Sequence, residues 1–323
     1  MLISKTDYDN NVVSCMKNIR SLMESLHLDK FEAEIIRHII SFEDVNVIAD
    51  QIIKQYILDA GVKPQCFPKI SVNVAPQASG KSSLNDYSVK KLNQNCVLIN
   101  SDELKKFYPG AKSISQSQFA PLYSYITDLG SNLWTSTLLN MSLQQNLNIV
   151  FEGTGKSPRI LDTLSPYKEK YLIKFRTISV ASTTSLSSIL VRYMDQRKQN
   201  GCARLVRACD FMDSYTNVTH LLNMCENAGY VVEVFARSNN PSKLPVKVYN
   251  THDRRGYRNA IEAVEHTRKH DAEMHADDNL EKILEVKEFL TESENVKVMA
   301  EALDIFYNLI VLQSSSYSDY NDF

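Results

Sequence analysis

The stretch ISVNVAPQASGKSSLNDYS, residues 70–88, carries Gly80-Lys81-Ser82 near its centre. Glycine lets the backbone approach a phosphate, lysine sets a positive charge against β and γ phosphate oxygens, and the following hydroxyl can ligate Mg²⁺. An apolar run precedes the tripeptide, and SSLNDYSVKKL can open a helix whose first amides face the same anion. The expected nucleotide-binding stretch is Gln77, Ala78, Ser79, Gly80, Lys81, Ser82 and Ser83, with Ser82 on the metal. Alanine stands at 75 and 78, where loops of this kind carry glycine. If either position needs a left-handed backbone, alanine costs on the order of 1 kcal/mol relative to glycine, which reshapes a loop without abolishing it. An ordinary strand, turn and helix with an accidental GKS is the competing explanation.

Three further segments supply chemistry. Asp102, in INSDELKKFYP, follows an apolar run and can accept the proton of a hydroxyl as it attacks a γ phosphate; Ser101 or Asp102 could equally cap a helix. Glu152, Thr154 and Lys156, in FEGTGK, place a carboxylate, a hydroxyl and a cation after another apolar run. Glu152 could organise Mg²⁺ through water or hold an acceptor hydroxyl, and glycine on both sides of Thr154 would let a ligand come close; a plain turn is the alternative. Arg192 and Arg204, twelve positions apart on either side of a glycine-containing turn, can close onto a transferring phosphate, although each taken singly suits a surface ion pair.

Positioning these groups on one edge requires a sheet. Short apolar runs at 69–75, 96–101, 148–153, 172–181, 230–236 and 246–250, separated by longer helical segments, predict parallel strands with helices on the faces. In such a sheet ligands gather beyond the carboxyl ends of the strands. Residues 117–145 suit a buried helix with Trp134 in the core. Helices are expected at 11–26, 30–42 and 43–60, and again at 257–276, 278–291 and 294–312. The division that follows is a helical region at 1–67, an α/β core at 68–252 and a helical region at 253–323 packed on the core.

Composition narrows the class. Hydrophobic residues at 43% and charged residues at 23% are ordinary globular values, and a net charge of −2 gives no sign of an extended nucleic-acid surface. No run of eighteen apolar residues occurs, and the first residues lack a secretory pattern, so a cytoplasmic protein without membrane contact is expected. The six cysteines form no CxxC pair and read as reduced thiols. His266 and His270 have i, i+4 spacing, but their charged surroundings suit a solvated helix better than zinc.

Taken in order, APQASGKS, INSDELKKFYP, FEGTGK and the Arg192 to Arg204 stretch resemble the zeta toxin family of P-loop kinases over residues 68–240. The resemblance implies a P-loop kinase core with helical additions at both ends. It implies transfer of the γ phosphate of ATP or GTP, with Mg²⁺, to a hydroxyl of a nucleotide-containing metabolite, a UDP-N-acetylamino sugar or NAD. Asp102 would be the base, Lys105, Glu152, Thr154 and Lys156 the acceptor contacts, and Lys81, Arg192 and Arg204 the phosphate-stabilising cations. Lys105 and Lys156 stand where the family carries arginine, and lysine lacks the bidentate fork. The family also implies an antitoxin or chaperone partner, unless the N-terminal helices serve that role in cis or simply complete the core, and either the producer's cytoplasm or, for an effector, a host's. A polynucleotide kinase and a non-catalytic nucleotide-binding module acting through a protein partner are the competing functions, and nucleic acid is the less expected partner.

Overall fold

A computed structural model of the chain describes residues 2–25, 28–200, 203, 206, 208–238 and 244–291. The expected helix at 294–312 and Arg204 lie outside the described residues. The N-terminal helices are α1 (Lys5–Ser25), α2 (Glu32–Ile36) and α3 (Phe42–Ile53), the last running on into a π turn at Lys54–Asp59. The helix expected at 30–42 stops at Ile36. Ser41 is extended and accepts a hydrogen bond from the amide of Asp44, so it starts α3 instead. The intervening chain is tied to other elements, with Ile40 accepting from the Tyr8 hydroxyl and donating its amide to the hydroxyl of Tyr108.

The core then alternates: β1 (Lys69–Val74), α4 (Lys81–Lys91), β2 (Val97–Asn100), α5 (Ser101–Leu104), α6 (Ala111–Ser115), α7 (Tyr123–Gln144), β3 (Ile149–Gly153), α8 (Arg159–Leu164), β4 (Leu172–Ser179), α9 (Ser182–Asn200), α10 (Ala208–Asn227), β5 (Val231–Ala236) and β6 (Val246–Asn250). Helices α11 (Ala260–Met274) and α12 (Ala276–Thr291) complete the described chain. All six expected strands form, in the order β2-β3-β1-β4-β5-β6, parallel except for the β5–β6 pair. Each parallel neighbour is reached through a helical crossover, as parallel pairing demands.

The two faces of the sheet differ. Ile70, Val72, Phe175, Val232 and Val234 turn to one face, in a continuous apolar core with residues of α7, α10 and α11. Trp134 is fully buried there, its indole N–H donating to the carbonyl of Val45 at 3.0 Å. Helices α1 and α3 pack outside α7 and share this core, so the N-terminal helices form a further layer over it. Helix α4 lies on the opposite face, against β1, β3 and β4. A smaller apolar cluster joins α9, α10 and α12 through Leu186, Phe211 and Ile283.

Candidate active site

The chain leaves β1 through a loop that turns back at Ala78, φ 57°, and Gly80, φ 98°, both left-handed. Ala78 is therefore the alanine that carries strain. Ala75 has no positive φ and is fully buried, with its methyl packed among Leu84, Ile178 and Phe235. Gly80 precedes the first turn of α4, where its conformation would strain any residue with a Cβ. The Lys81 ammonium folds back over the loop and donates to the carbonyls of Ala75 (3.0 Å) and Pro76 (2.8 Å). Ser79 is buried and its hydroxyl donates to Pro76 O at 2.8 Å. Ser82 is exposed on the first turn, while the Ser83 hydroxyl returns to Gly80 O. Gln77 reaches across to Ser214 on α10.

The carboxyl ends of β1, β2 and β3 lie side by side, with Asn100 opposite Glu152 and Glu152 opposite Asn73. The Glu152 carboxylate accepts from Asn100 Nδ2 at 3.0 Å and from Asn85 Nδ2 on α4, both at the same oxygen, Oε2. Burial raises its pKa above the ordinary carboxylate value; Lys81 and the Asn85 amide oppose this, and the charges of Asp102 and Glu103 reinforce it. Glu152 thus feels both the phosphate-loop lysine and the carboxylate expected to act as base.

Asp102 sits in the first turn of α5 with its side chain about half exposed. The cap of that helix is Asn100, whose side chain accepts from the Asp102 amide at 2.9 Å, so neither Ser101 nor Asp102 is the cap. Lys105 is buried one turn on, its ammonium 3.0 Å from Asp102 Oδ1 and 3.1 Å from Asp128 Oδ1. Lys156 also meets two carboxylates, Asp210 at 2.7 Å and Asp213 at 3.1 Å, both on α10. Burial disfavours its charge, but these two partners outweigh that and raise its pKa. Thr154 is half-buried beyond β3. At Gly155, φ 71°, an added Cβ would come within 3.2 Å of Val218 Cα, so this glycine admits α10. Arg192 is exposed on α9, which begins ten residues before it, so the segment expected to open a helix lies within one.

Sequence reasoning missed a polar row across the whole sheet. Asn100, Glu152, Asn73, Arg176, Glu233 and Asn250 stand opposite one another from β2 to β6. Asn73 Nδ2 donates to Asn85 Oδ1 (2.8 Å), Ser88 on α4 donates to Asn73 (3.2 Å), and Arg176 Nη1 donates to Ser88 (2.8 Å). Arg176 Nε then meets Glu233 Oε2 at 2.6 Å, while Lys247 (2.8 Å) and Asn250 (3.0 Å) donate to Glu233 Oε1. The readable signal was a polar residue flanked by apolar ones or near the end of each run: the asparagine of SVNVA, the glutamate of VFEG, the arginine of KFRT and the glutamate of VVEVF.

A strand, a tight loop and a helix on a mostly parallel sheet of this order define an α/β fold of the P-loop kinase type. A profile of the zeta toxin family matches residues 57–252, and the chain belongs to that family. Members of the family are ATP-dependent kinases. Among solved structures, the chain is similar to one from the PezAT chromosomal toxin–antitoxin system of the human pathogen Streptococcus pneumoniae. The two are 14% identical with a TM-score of 0.62, over 76% of this chain and 98% of that one, a likeness of fold. An AvrRxo1-ORF1:-ORF2 structure with ATP matches at 13% identity and a TM-score of 0.46, covering 64% of this chain and 67% of that one. A search of curated proteins finds no match in sequence. No helix among the described residues is long and apolar enough to cross a membrane.

Proposed function

We propose that the protein transfers the γ phosphate of ATP or GTP to a hydroxyl of a small nucleotide-containing metabolite, of the class of UDP-N-acetylamino sugars or NAD. The observation that carries this reading is the pairing of β1, β2 and β3 side by side, which brings the loop of Lys81, the carboxylate of Glu152 and the helix of Asp102 to one sheet edge. A phosphate held by Gly80, Lys81 and the first amides of α4 would lie within reach of a base on α5. Asp102 takes the acceptor proton, and Lys81, with Arg192 and Arg204, neutralises charge on the transferred group. Mg²⁺ fits the donor set: an exposed Ser82 hydroxyl and, through water, the Glu152 carboxylate, whose two amide donors occupy one oxygen and leave Oε1. Bound there, it would neutralise the phosphate oxygens.

The acceptor contacts are the altered part. Lys105 and Lys156 each lie between two carboxylates, which supports roles in holding Asp102 and α10 in place rather than in gripping a diphosphate. The acceptor is therefore recognised chiefly through Glu152 and Thr154. An antitoxin-like partner remains part of the reading. The layer of α1 and α3 over α7 favours these helices completing the core rather than acting as an inhibitor in cis.

The test is incubation with ATP and Mg²⁺ against UDP-N-acetylglucosamine, NAD and an RNA oligonucleotide in parallel, followed by mass spectrometry for a gain of one phosphate. Asp102→Asn should abolish the product while ATP binding persists. Undiminished turnover in that variant would remove Asp102 as the base, and ATP binding by the parent without any phosphorylated product would leave a non-catalytic nucleotide-binding module.

A further inference from the structure

On the face of the sheet that carries α4, a cavity of about 280 Å³ opens at the far end of that helix from Gly80. Its charged walls are Lys69 of β1, Lys91 of α4, Lys174 and Arg176 of β4 and Glu233 of β5, with Tyr87 forming an aromatic side. Tyr87 and Lys91 are seven and eleven residues along from Gly80, so the cavity wall on α4 begins about 10 Å and reaches about 16 Å along the axis from the phosphate loop. The two places are separate.

Four cations face one carboxylate, and that carboxylate is already engaged. Glu233, 1% exposed, holds Arg176 at 2.6 Å, Lys247 at 2.8 Å and Asn250 at 3.0 Å. Lys174 reaches it only at 3.8 Å. Among the described residues, Lys69 and Lys91 form no ion pair. Burial keeps the pKa of Lys174 below that of an ordinary lysine; Glu233 opposes this, and the charges of Arg176, Lys247 and Lys69 add to it. Arg176 is fixed by Ser71 (2.7 Å) and Ser88 (2.8 Å), so the floor of the cavity is ordered. The cavity opens to solvent past the exposed Lys69 and Lys91, so an anion can enter it and meet four cations against one carboxylate that is already paired.

We infer that this cavity is a second binding site, for a small ligand bearing at least two phosphoryl groups. Lysines from three separate elements converge on it, which suits a multiply charged anion more than a single phosphate. Its volume is just below that of ordinary small-molecule sites, which favours a compact phosphorylated ligand. The inference is independent of phosphoryl transfer at the phosphate loop.

Inorganic pyrophosphate is the probe, titrated calorimetrically into the full chain. The parent should bind two equivalents and Lys81→Met one, through the cavity. Lys91→Gln/Lys174→Gln should also bind one, at the phosphate loop. Combining all three changes should leave none, with cavity affinity falling at least tenfold. If Lys91→Gln/Lys174→Gln is not folded by circular dichroism, Lys69→Gln/Lys91→Gln replaces it, since both lysines are exposed. No binding by Lys81→Met, or binding that the cavity variants leave unchanged, would overturn the site. Orthophosphate bound as tightly as pyrophosphate would overturn the ligand class.

Discussion

Replacing Ala75 and Ala78 by glycine, one at a time, probes the loop at the two positions where alanine is unusual. Any alanine-to-glycine change here gives the unfolded chain more freedom, costing about 0.4–1 kcal/mol. Ala75→Gly also deletes a fully buried methyl, worth about 0.8 kcal/mol, and relieves nothing because its φ is not positive. The loss should be about 1.5 kcal/mol. Ala78→Gly starts from φ 57°, and release from the left-handed region returns about 1–2 kcal/mol, offsetting the entropy and the partly buried methyl. Its stability should lie within about 0.5 kcal/mol of the parent. Urea denaturation with an unchanged m-value reads the difference directly. If Ala78→Gly loses as much as Ala75→Gly, the strain assigned to Ala78 is absent and the shape of the loop has another origin.

Further expectations concern ionisation and reactivity. Burial holds Glu152 above the ordinary carboxylate range, so the acidic limb of kcat/KM should lie above that range and flatten in Glu152→Gln; an unmoved limb would exclude its titration. Burial alone would raise the Glu233 pKa, but Arg176, Lys247 and Lys174 bring it down to about 2. Its contribution to stability is therefore full above the unfolded carboxylate value and lost as pH falls toward about 2, so the gap between parent and Glu233→Gln should narrow between pH 5 and 3 in urea denaturation. Arg176→Met removes the partner of Glu233 Oε2 while Lys247 and Asn250 keep Oε1, and should cost about 1.5–3 kcal/mol at neutral pH by the same measurement. Cys66 and Cys209 are exposed and should react with a thiol reagent in the native protein. Cys15 and Cys225, buried and with pKa values pushed up to about 12, should react only after unfolding.

The strands were legible because each is a short, nearly continuous apolar run; their order, with β3 inserted between β2 and β1, was not. Gly80, Lys81 and the start of α4 were legible as a motif for the same local reason. What escaped was set by partners distant in the chain. Nothing near Ile39 and Ile40 announces that Tyr8 and Tyr108 will hold that segment out of a helix. Lys105 and Lys156 could be read as ligand-facing cations because Asp128 and Asp210 approach them only after folding. Gly155 invited a ligand on paper, and α10 fills the space. Asn85 and Asn100 gave no signal by type; strand pairing brings Asn100 beside Glu152, and the packing of α4 on the sheet brings Asn85.

The polar row from Asn100 to Asn250 also bears on how the sheet avoids misassembly. A slip of any one strand by a single residue sends its side chains to the opposite face. For β4 that would carry Arg176 away from Glu233 and into the apolar layer beneath α7 and α10, leaving a buried charge unmatched on each side. Parallel strands meet only after long crossovers, when much of the chain has already collapsed and near-miss pairings are plentiful. Shape alone discriminates poorly among valine- and isoleucine-rich runs. A single line of charges and amides does so sharply, giving the folding chain a built-in proofreading step.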